Sequence, residues 1–370
     1  MKYLALSVFA AVFAAIAPAQ PPVSPEVHPD GRVTFRLNAP AAGAVALRFE
    51  SDAPVPMKKD APGVWSATTG ALPPDIYSYS FVADGIPVLD PANPHMKYNL
   101  VSSQSEVQVP GPAALPWEIN DVPRGTIHHH FYKSAIVGDH RDFFVYTPPG
   151  YDPAAKPAYP VLYLLHGFSD DATAWSTVGR ANVILDNLIA RGQAKPMLIV
   201  MPLGYGNWDA LIGSYSGPHK PGSREDSNAK FGDSLLNEVI PQVERLYHVS
   251  SDGKARAIAG RSMGGAQSLL IGLNHPDLFA WIGAFSSGGL GHDFAADFPS
   301  LGQSANAKLR LLWIACGRDD GLIGWNQQID AWLTDRGVSH VWHPTPGIHS
   351  FTVWRRNLAE FAPLLFREQP

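Results

Sequence analysis

The chain has one cysteine, Cys316, in 370 residues. A lone thiol excludes an internal disulfide, so stability has to come from a packed core. Charge is sparse too: Asp, Glu, Lys and Arg make up 16% of the chain and the formal net charge is −5. There is no long run of like charge, and the basic patch that a nucleic-acid partner requires is missing. Past the N-terminus no apolar run approaches the ~20 residues needed to cross a bilayer. No Cys, His and Asp cluster has zinc-ligand spacing. His128-His129-His130 does not replace one, because successive strand residues point to opposite faces and cannot easily converge on one ion. We find no internal repeat. Neither a metal nor a cofactor is expected, and the ligand these absences leave is small or an uncharged polymer.

Hydrophobic residues form 45% of the chain, enough for a sizeable core, and the length suggests two domains. The N-terminus combines Lys2, an apolar stretch from Leu4 to Ile16 and the small-residue pattern Ala17-Pro18-Ala19. Residues 1–19 therefore read as a signal peptide with Gln20 as the first mature residue, which implies a secreted or periplasmic protein. A retained membrane anchor is the competing reading, and the shortness of the apolar stretch counts against it. Cys316 follows the apolar run from Leu309 to Ala315 and reads as a small core residue rather than a catalytic thiol.

Residues 20–108 read as all-β. Gly31–Leu37, Ala44–Phe49 and Tyr77–Val82 alternate apolar and polar residues, separated by Pro, Gly and Asp clusters, as in a β-sandwich. The segments Val33-Thr34-Phe35-Arg36-Leu37-Asn38-Ala39-Pro40, Gly63-Val64-Trp65-Ser66 and Leu89-Asp90-Pro91 resemble the immunoglobulin-like module that precedes glycogen-branching enzymes and some esterases. That family is classed among carbohydrate-binding modules, and the resemblance offers Trp65 as a sugar-stacking platform. The alternative is a half-buried sandwich aromatic. A Pro/Gly-rich stretch, 109–122, reads as a linker.

From residue 123 to 370 the pattern changes. Val161–Leu165 and Met197–Met201 are continuously apolar, as strands buried on both faces are. Ala181–Ala190 between them has helical spacing. Strand, helix and strand in turn imply an α/β domain with a mostly parallel sheet.

Within it, Gly260-Arg261-Ser262-Met263-Gly264 follows an apolar run and precedes a helical one. That is the context of a nucleophile elbow: the serine sits on a tight strand-to-helix turn and the glycines keep strand and helix apart. A serine hydroxyl needs a neighbouring base, and the base needs an orienting acid. On this fold they follow in the order Ser, Asp or Glu, His. Asp319 and Asp320 follow the Leu311–Gly317 run, and adjacency alone does not separate them. His349 lies in the loop Pro346-Gly347-Ile348-His349, before a helix expected over 353–366. His340 and His343 flank a strand-like segment and read as structural or surface residues. The backbone N–H groups of Met263 and Phe168 are the expected oxyanion donors, with Gly167 allowing close approach and His166 ordering the loop.

Tyr159–Gly167, Gly179–Ala190 and Arg256–Gly265 resemble the feruloyl esterase domains of bacterial xylanases. These belong to carbohydrate esterase family one, which also holds acetylxylan esterases and is related to enterochelin esterases. The resemblance implies an α/β-hydrolase catalytic domain. Its Gly-x-x-Asp pattern matches Gly317-Arg318-Asp319-Asp320 and places the acid on Asp320; its Gly-x-His signature matches His349. Phe168 stands where many relatives have a small or polar residue, and Trp325 where an aromatic of variable size is usual. Trp325 and Trp208 are the candidate substrate-binding residues, with packing as an ordinary aromatic at a helix start the equal alternative for Trp325. The Gly/Ser/Asn-rich stretch 202–228 is read as a loop forming a cleft wall, with a disordered surface loop the competing reading. The implied partner is feruloylated or acetylated xylan. The alternatives are an acetylxylan esterase, an enterochelin-type or general esterase and, from another class, a non-catalytic carbohydrate-binding protein.

Overall fold

Val33, Phe35 and Leu37 lie on one face of the strand Val33–Asn38, and Tyr77, Tyr79 and Phe81 on one face of Asp75–Ala83. Burying both rows against each other closes two sheets into a sandwich, with Phe35 and Tyr79 ring centroids 4.4 Å apart. One sheet runs in the order Glu26–Val27, Val33–Asn38, Val64–Thr68, Lys58–Asp60. The other runs Val55–Pro56, Val45–Phe49, Asp75–Ala83, Gln104–Val109, Met96–Lys97, with Ile86–Val88 also pairing to Asp75–Ala83. Trp65 belongs to this core. It is 7% exposed, its Nε1 donates to Ala39 O at 3.0 Å, and Lys59 lies over its ring. A ring so covered offers no stacking face, which corrects the sugar-platform reading. The computed structural model describes residues 22–50, 52–60, 63–216, 222–291 and 293–367, and the expected signal peptide, 1–19, lies outside the described residues.

The second unit is an eight-stranded sheet: β1 (Thr126–Lys133), β2 (His140–Thr147), β3 (Val161–Leu165), β4 (Leu198–Pro202), β5 (Arg256–Arg261), β6 (Trp281–Phe285), β7 (Leu311–Gly317) and β8 (Val341–Thr345). Its order is β1-β2-β4-β3-β5-β6-β7-β8; the first two strands are antiparallel additions and the remaining six run parallel. Strands β3 to β6 are buried along their whole length, which is why β3, β4 and β6 read as unbroken apolar runs, while β5 is bounded by the buried Arg256 and Arg261. Helices α1 (Ala181–Ala190), α2 (Asp209–Ser216), α3 (Ser223–Ser234), α4 (Met263–Asn274), α5 (Ile323–Asp335) and α6 (Phe351–Phe361) cover the two faces. The C-terminal helix thus starts two residues before the expected 353 and ends at Phe361, followed by a 3₁₀ turn, Ala362–Leu364.

The stretch 109–122 is no free tether. Trp117 is 3% exposed, and Asn187 Nδ2 donates to both Pro116 O and Glu118 O, so the segment is laid down on α1. The sandwich is fixed to the eight-stranded unit by charge as well. The fully buried Asp75 carboxylate accepts from Arg355 (3.1 Å) and Arg356 (2.7 Å), both on α6. Among the described residues no helix is long and apolar enough to cross a membrane.

Candidate active site

Strand β5 passes into α4 through a single residue, Ser262, at φ 52°, ψ −118°. Two glycines make that turn possible. A Cβ on Gly264 would stand 2.4 Å from His166 O, and one on Gly260 would stand 2.4 Å from Gly264 O. The G-x-S-x-G spacing is therefore a steric condition for bringing strand, helix and the β3 loop together around the serine. The strain at Ser262 holds its Oγ clear of the sheet edge.

His349 comes to Ser262 from the loop after β8. Its Nε2 lies 3.1 Å from Ser262 Oγ and its Nδ1 lies 2.8 Å from Asp320 Oδ2. Asp320 is 2% exposed, whereas Asp319 points to solvent, so the structure separates the two adjacent carboxylates. Leu322 N–H donates to the other Asp320 oxygen at 2.8 Å. Burial pushes the Asp320 carboxyl up, but the hydrogen bond and charge of His349, with Leu322 N–H and Ser286, prevail and hold it below the usual carboxylate range. An ionised acid here fixes the imidazole with Nδ1–H toward Asp320 and Nε2 free to accept from Ser262.

The acid and base loops are closed on each other by backbone contact. Arg318 N–H donates to Thr345 O (2.7 Å) and Asp319 N–H to Gly347 O (3.1 Å). A Cβ on Gly317 would come 2.2 Å from Gly347 O, and Gly347 itself has φ 116°. Gly317→Ala is accordingly expected to separate Asp320 from His349 and lower kcat about 100-fold with an unchanged circular-dichroism spectrum, as misplacement of about 1 Å does; steady-state assay of an aryl acetate checks it.

Phe168 and Met263 flank Ser262 in a cavity of about 220 Å³ lined also by Ala210, Arg224, Ser227, Asn228, Gly288, Gly289 and Leu322. Neither the Phe168 nor the Met263 N–H donates to a protein acceptor among the described residues. Met263 is the first residue of the twelve-residue α4, whose N-terminal dipole adds positive potential at the same point. A larger groove, about 550 Å³, shares no lining residue with this cavity and contains no serine nucleophile.

His166 is a framework group. Gly204 N–H donates to its Nε2 at 2.8 Å, so Nδ1–H faces Gly167 O, also at 2.8 Å. Burial pulls its pKa down to about 4 and keeps it neutral. His340 is held by Asp330 (2.8 Å) and His343 by Glu360 (2.7 Å). His128, His129 and His130 face Thr147, Asp142 and Tyr247 respectively, three separate partners. Burial pushes the Cys316 thiol up to about 12, so it stays protonated in the core.

Neither tryptophan named as a substrate-binding candidate lines the cavity, and Trp325 takes its packed alternative. Trp325 packs edge-on against Phe294, with centroids 5.4 Å apart, and its Nε1 donates to Gly291 O. It shares a helix face with the fully buried Ile329 and Leu333, at i+4 and i+8, and that spacing was the signal that it belongs to the core. Leu322, at the N-cap of α5, lines the cavity instead. Trp208 donates to Asp139 and carries the Arg141 guanidinium over its ring, apart from the cavity wall. The stretch 202–228 does supply that wall through Ala210, Arg224, Ser227 and Asn228, yet most of its described residues lie in α2 and α3 rather than in a loop. Glu225 and Asp226 in the first turn of α3 suit its N-terminal dipole, and Phe231 and Leu235 anchor it at i, i+4.

A six-strand parallel core with a serine, histidine and aspartate in hydrogen-bonded sequence at its carboxyl edge is an α/β-hydrolase. The chain belongs to the Esterase family, described as "Putative esterase", whose model matches residues 134–365. It is 30% identical over 346 residues, 91% of its length, to an endo-1,4-beta-xylanase/feruloyl esterase of Xylanibacter ruminicola, and the match covers 45% of that protein. The chain thus spans less than half the length of this relative. Among solved structures it is similar to a ferulic acid esterase of Anaeromyces mucronatus in complex with ferulic acid, with TM-score 0.58 and 24% identity, covering 67% of this chain and 93% of that one. It is also similar to the enterochelin esterase of Shigella flexneri, with TM-score 0.70 and 20% identity, covering 91% of this chain and 93% of that one. At these identities the structural matches establish the fold, and the second extends it through the sandwich.

Proposed function

We propose that the protein is a secreted serine carboxylic-ester hydrolase that releases ferulate from feruloylated arabinoxylan. The observation that carries the reading is the Ser262–His349–Asp320 hydrogen-bond chain opening on a cleft large enough for an aromatic acyl group. Phe168, Ala210, Met263 and Leu322 offer apolar surface to the ring, and Arg224, Ser227 and Asn228 offer polar groups for its oxygen substituents. An acetyl group would leave most of that space unfilled. The similarity to a xylanase/feruloyl esterase favours the same polymer, and the Lys2 to Ala19 pattern favours export.

In this mechanism Ser262 Oγ attacks the ester carbonyl as His349 Nε2 takes its proton. Met263 and Phe168 N–H groups stabilise the oxyanion. The sugar alcohol leaves with the proton from His349, giving the acyl-serine. Water, deprotonated by His349, then attacks the acyl carbon, and as the bond to Ser262 Oγ breaks His349 returns the proton to Oγ, releasing ferulate and restoring Ser262.

The test is a comparison of methyl ferulate, acetylated xylan and a simple aryl acetate. Methyl ferulate is expected to have a kcat/KM at least about tenfold above the aryl acetate, the margin one filled aromatic pocket supplies, and bran polysaccharide should yield free ferulate. Strong deacetylation of xylan without ferulate release would overturn the substrate.

A further inference from the structure

The sandwich strands Met96–Lys97 and Gln104–Val109 are joined by residues 98–103, and this loop ends on the hydrolase segment that carries Phe168. Asn99 Nδ2 donates to Ser169 Oγ at 2.9 Å and to Asp170 Oδ1 at 2.7 Å. Leu100 N–H donates to Ser169 O at 2.8 Å. At its other end the Asn99 amide is committed as well: Oδ1 accepts from Val101 N–H (3.0 Å) and Ser102 N–H (3.1 Å). With the oxygen used by two backbone donors, the amino group has one orientation available, toward Ser169 and Asp170.

The receiving segment needs such support. Ser169 has φ 67°, a left-handed conformation that a serine holds only when its surroundings impose it. Asp170, 1% exposed, pairs with Arg261, the residue before Ser262. The Arg261 guanidinium is sandwiched over Phe351 (4.3 Å) and Trp354 (4.1 Å) and presses on Gly167, where a Cβ would meet it at 2.5 Å. Phe168 is therefore held from one side by Gly167 against Arg261 and from the other by Ser169 and Asp170 against Asn99. A group from outside the hydrolase unit completes the frame of the expected oxyanion donor.

We infer that Asn99 is a positioning residue for ester hydrolysis: from the sandwich it clamps the Ser169–Asp170 turn and so fixes the Phe168 N–H relative to Ser262. The inference rests on the esterase reading above. Attachment of the two units does not depend on this clamp, because Asp75 and α6 already join them.

Asn99→Ala and Asn99→Asp in the full chain test it. Asparagine-to-aspartate keeps an acceptor for Val101 and Ser102 N–H but sets a carboxylate against Asp170, so it separates the donor role from the turn. Both variants are expected to lower kcat for an aryl acetate about tenfold per titrated serine, a fraction of what outright loss of an oxyanion donor costs. KM for the aryl acetate should stay within about twofold, since its acetyl group does not fill the pocket that Phe168 lines. The inhibition constant of a phenylboronate, whose tetrahedral serine adduct places an oxygen at the oxyanion position, should rise by the same factor. Amide exchange over residues 166–171 should quicken, with the rest of the chain unchanged. Unaltered exchange and unaltered kcat in Asn99→Asp overturn the clamp, as does a loss explained wholly by fewer active molecules. If the parent hydrolyses no ester, the esterase reading fails by itself, and the exchange measurement alone then decides whether Asn99 holds the segment.

Discussion

Asp320→Asn is expected to lower kcat about 10⁴-fold while leaving KM within a few-fold and the fold intact. The amide occupies the same space, and through its amino group it can donate to His349 Nδ1. That leaves the proton on Nε2, the nitrogen that has to accept from Ser262. The exposed neighbour supplies the control: Asp319→Asn is expected to change kcat less than about twofold, as surface changes generally do. Stopped-flow assay of an aryl acetate resolves both. A drop below about tenfold in Asp320→Asn would show that some other group orients the imidazole. The same substitution has a pH signature. The folded Asp320 carboxyl titrates below its unfolded value, so its contribution to stability is complete above about pH 3.9 and is lost as pH falls through the folded value. Urea denaturation on acidification should therefore show the stability difference between parent and Asp320→Asn shrinking from the mildly acidic side downward.

Asp75→Ala is expected to cost about 3–5 kcal/mol of stability, the range for removing one partner of a buried ion pair. Asp75 is fully buried, and Arg355, 1% exposed, would be left among the described residues with Val178 O and Ile76 O as acceptors. The loss is felt at the junction of two units, so denaturant unfolding should shift to lower midpoint with an earlier fluorescence change at Trp117, which the Arg355 guanidinium overlies. Pairing it with Arg355→Met should recover a large part of the loss, because the uncompensated charge is then gone. A single variant within about 1 kcal/mol of the parent would mean that the Asp75–Arg355 pair does not hold the sandwich to the hydrolase.

The parts of this molecule that were legible in its sequence are those encoded locally. Ser262 and His349 announced themselves through glycines whose positions are steric requirements, and those contacts appear at Gly260, Gly264, Gly317 and Gly347. The fully buried strands β3 and β4 were legible as unbroken apolar runs, and the sandwich strands as alternation. What was not legible depends on separation along the chain or on helix facing. Asn99 meets Asp170 across 71 residues and Asp75 meets Arg355 across 280, and no pattern near either residue points to its partner. Trp325 reads in sequence either as a pocket residue, being close to Asp320, or as a packed aromatic at a helix start; three residues into a helix the face decides, and its face is that of Ile329 and Leu333. The stretch 202–228 looked like coil from its Gly, Ser and Asn content, while the few apolar residues that follow it, Phe231 and Leu235, were enough to seat α3 against the core.

The central claim is that Ser262 carries the acyl group. Rapid quenching of the full-length protein with excess methyl ferulate, followed by peptide mass spectrometry, tests it most directly. The account predicts a feruloyl adduct on the peptide containing Ser262 within the first turnover, no adduct and essentially no ester hydrolysis in Ser262→Ala, and an unchanged fold in that variant. An adduct on any other residue, or hydrolysis retained by Ser262→Ala, would contradict it.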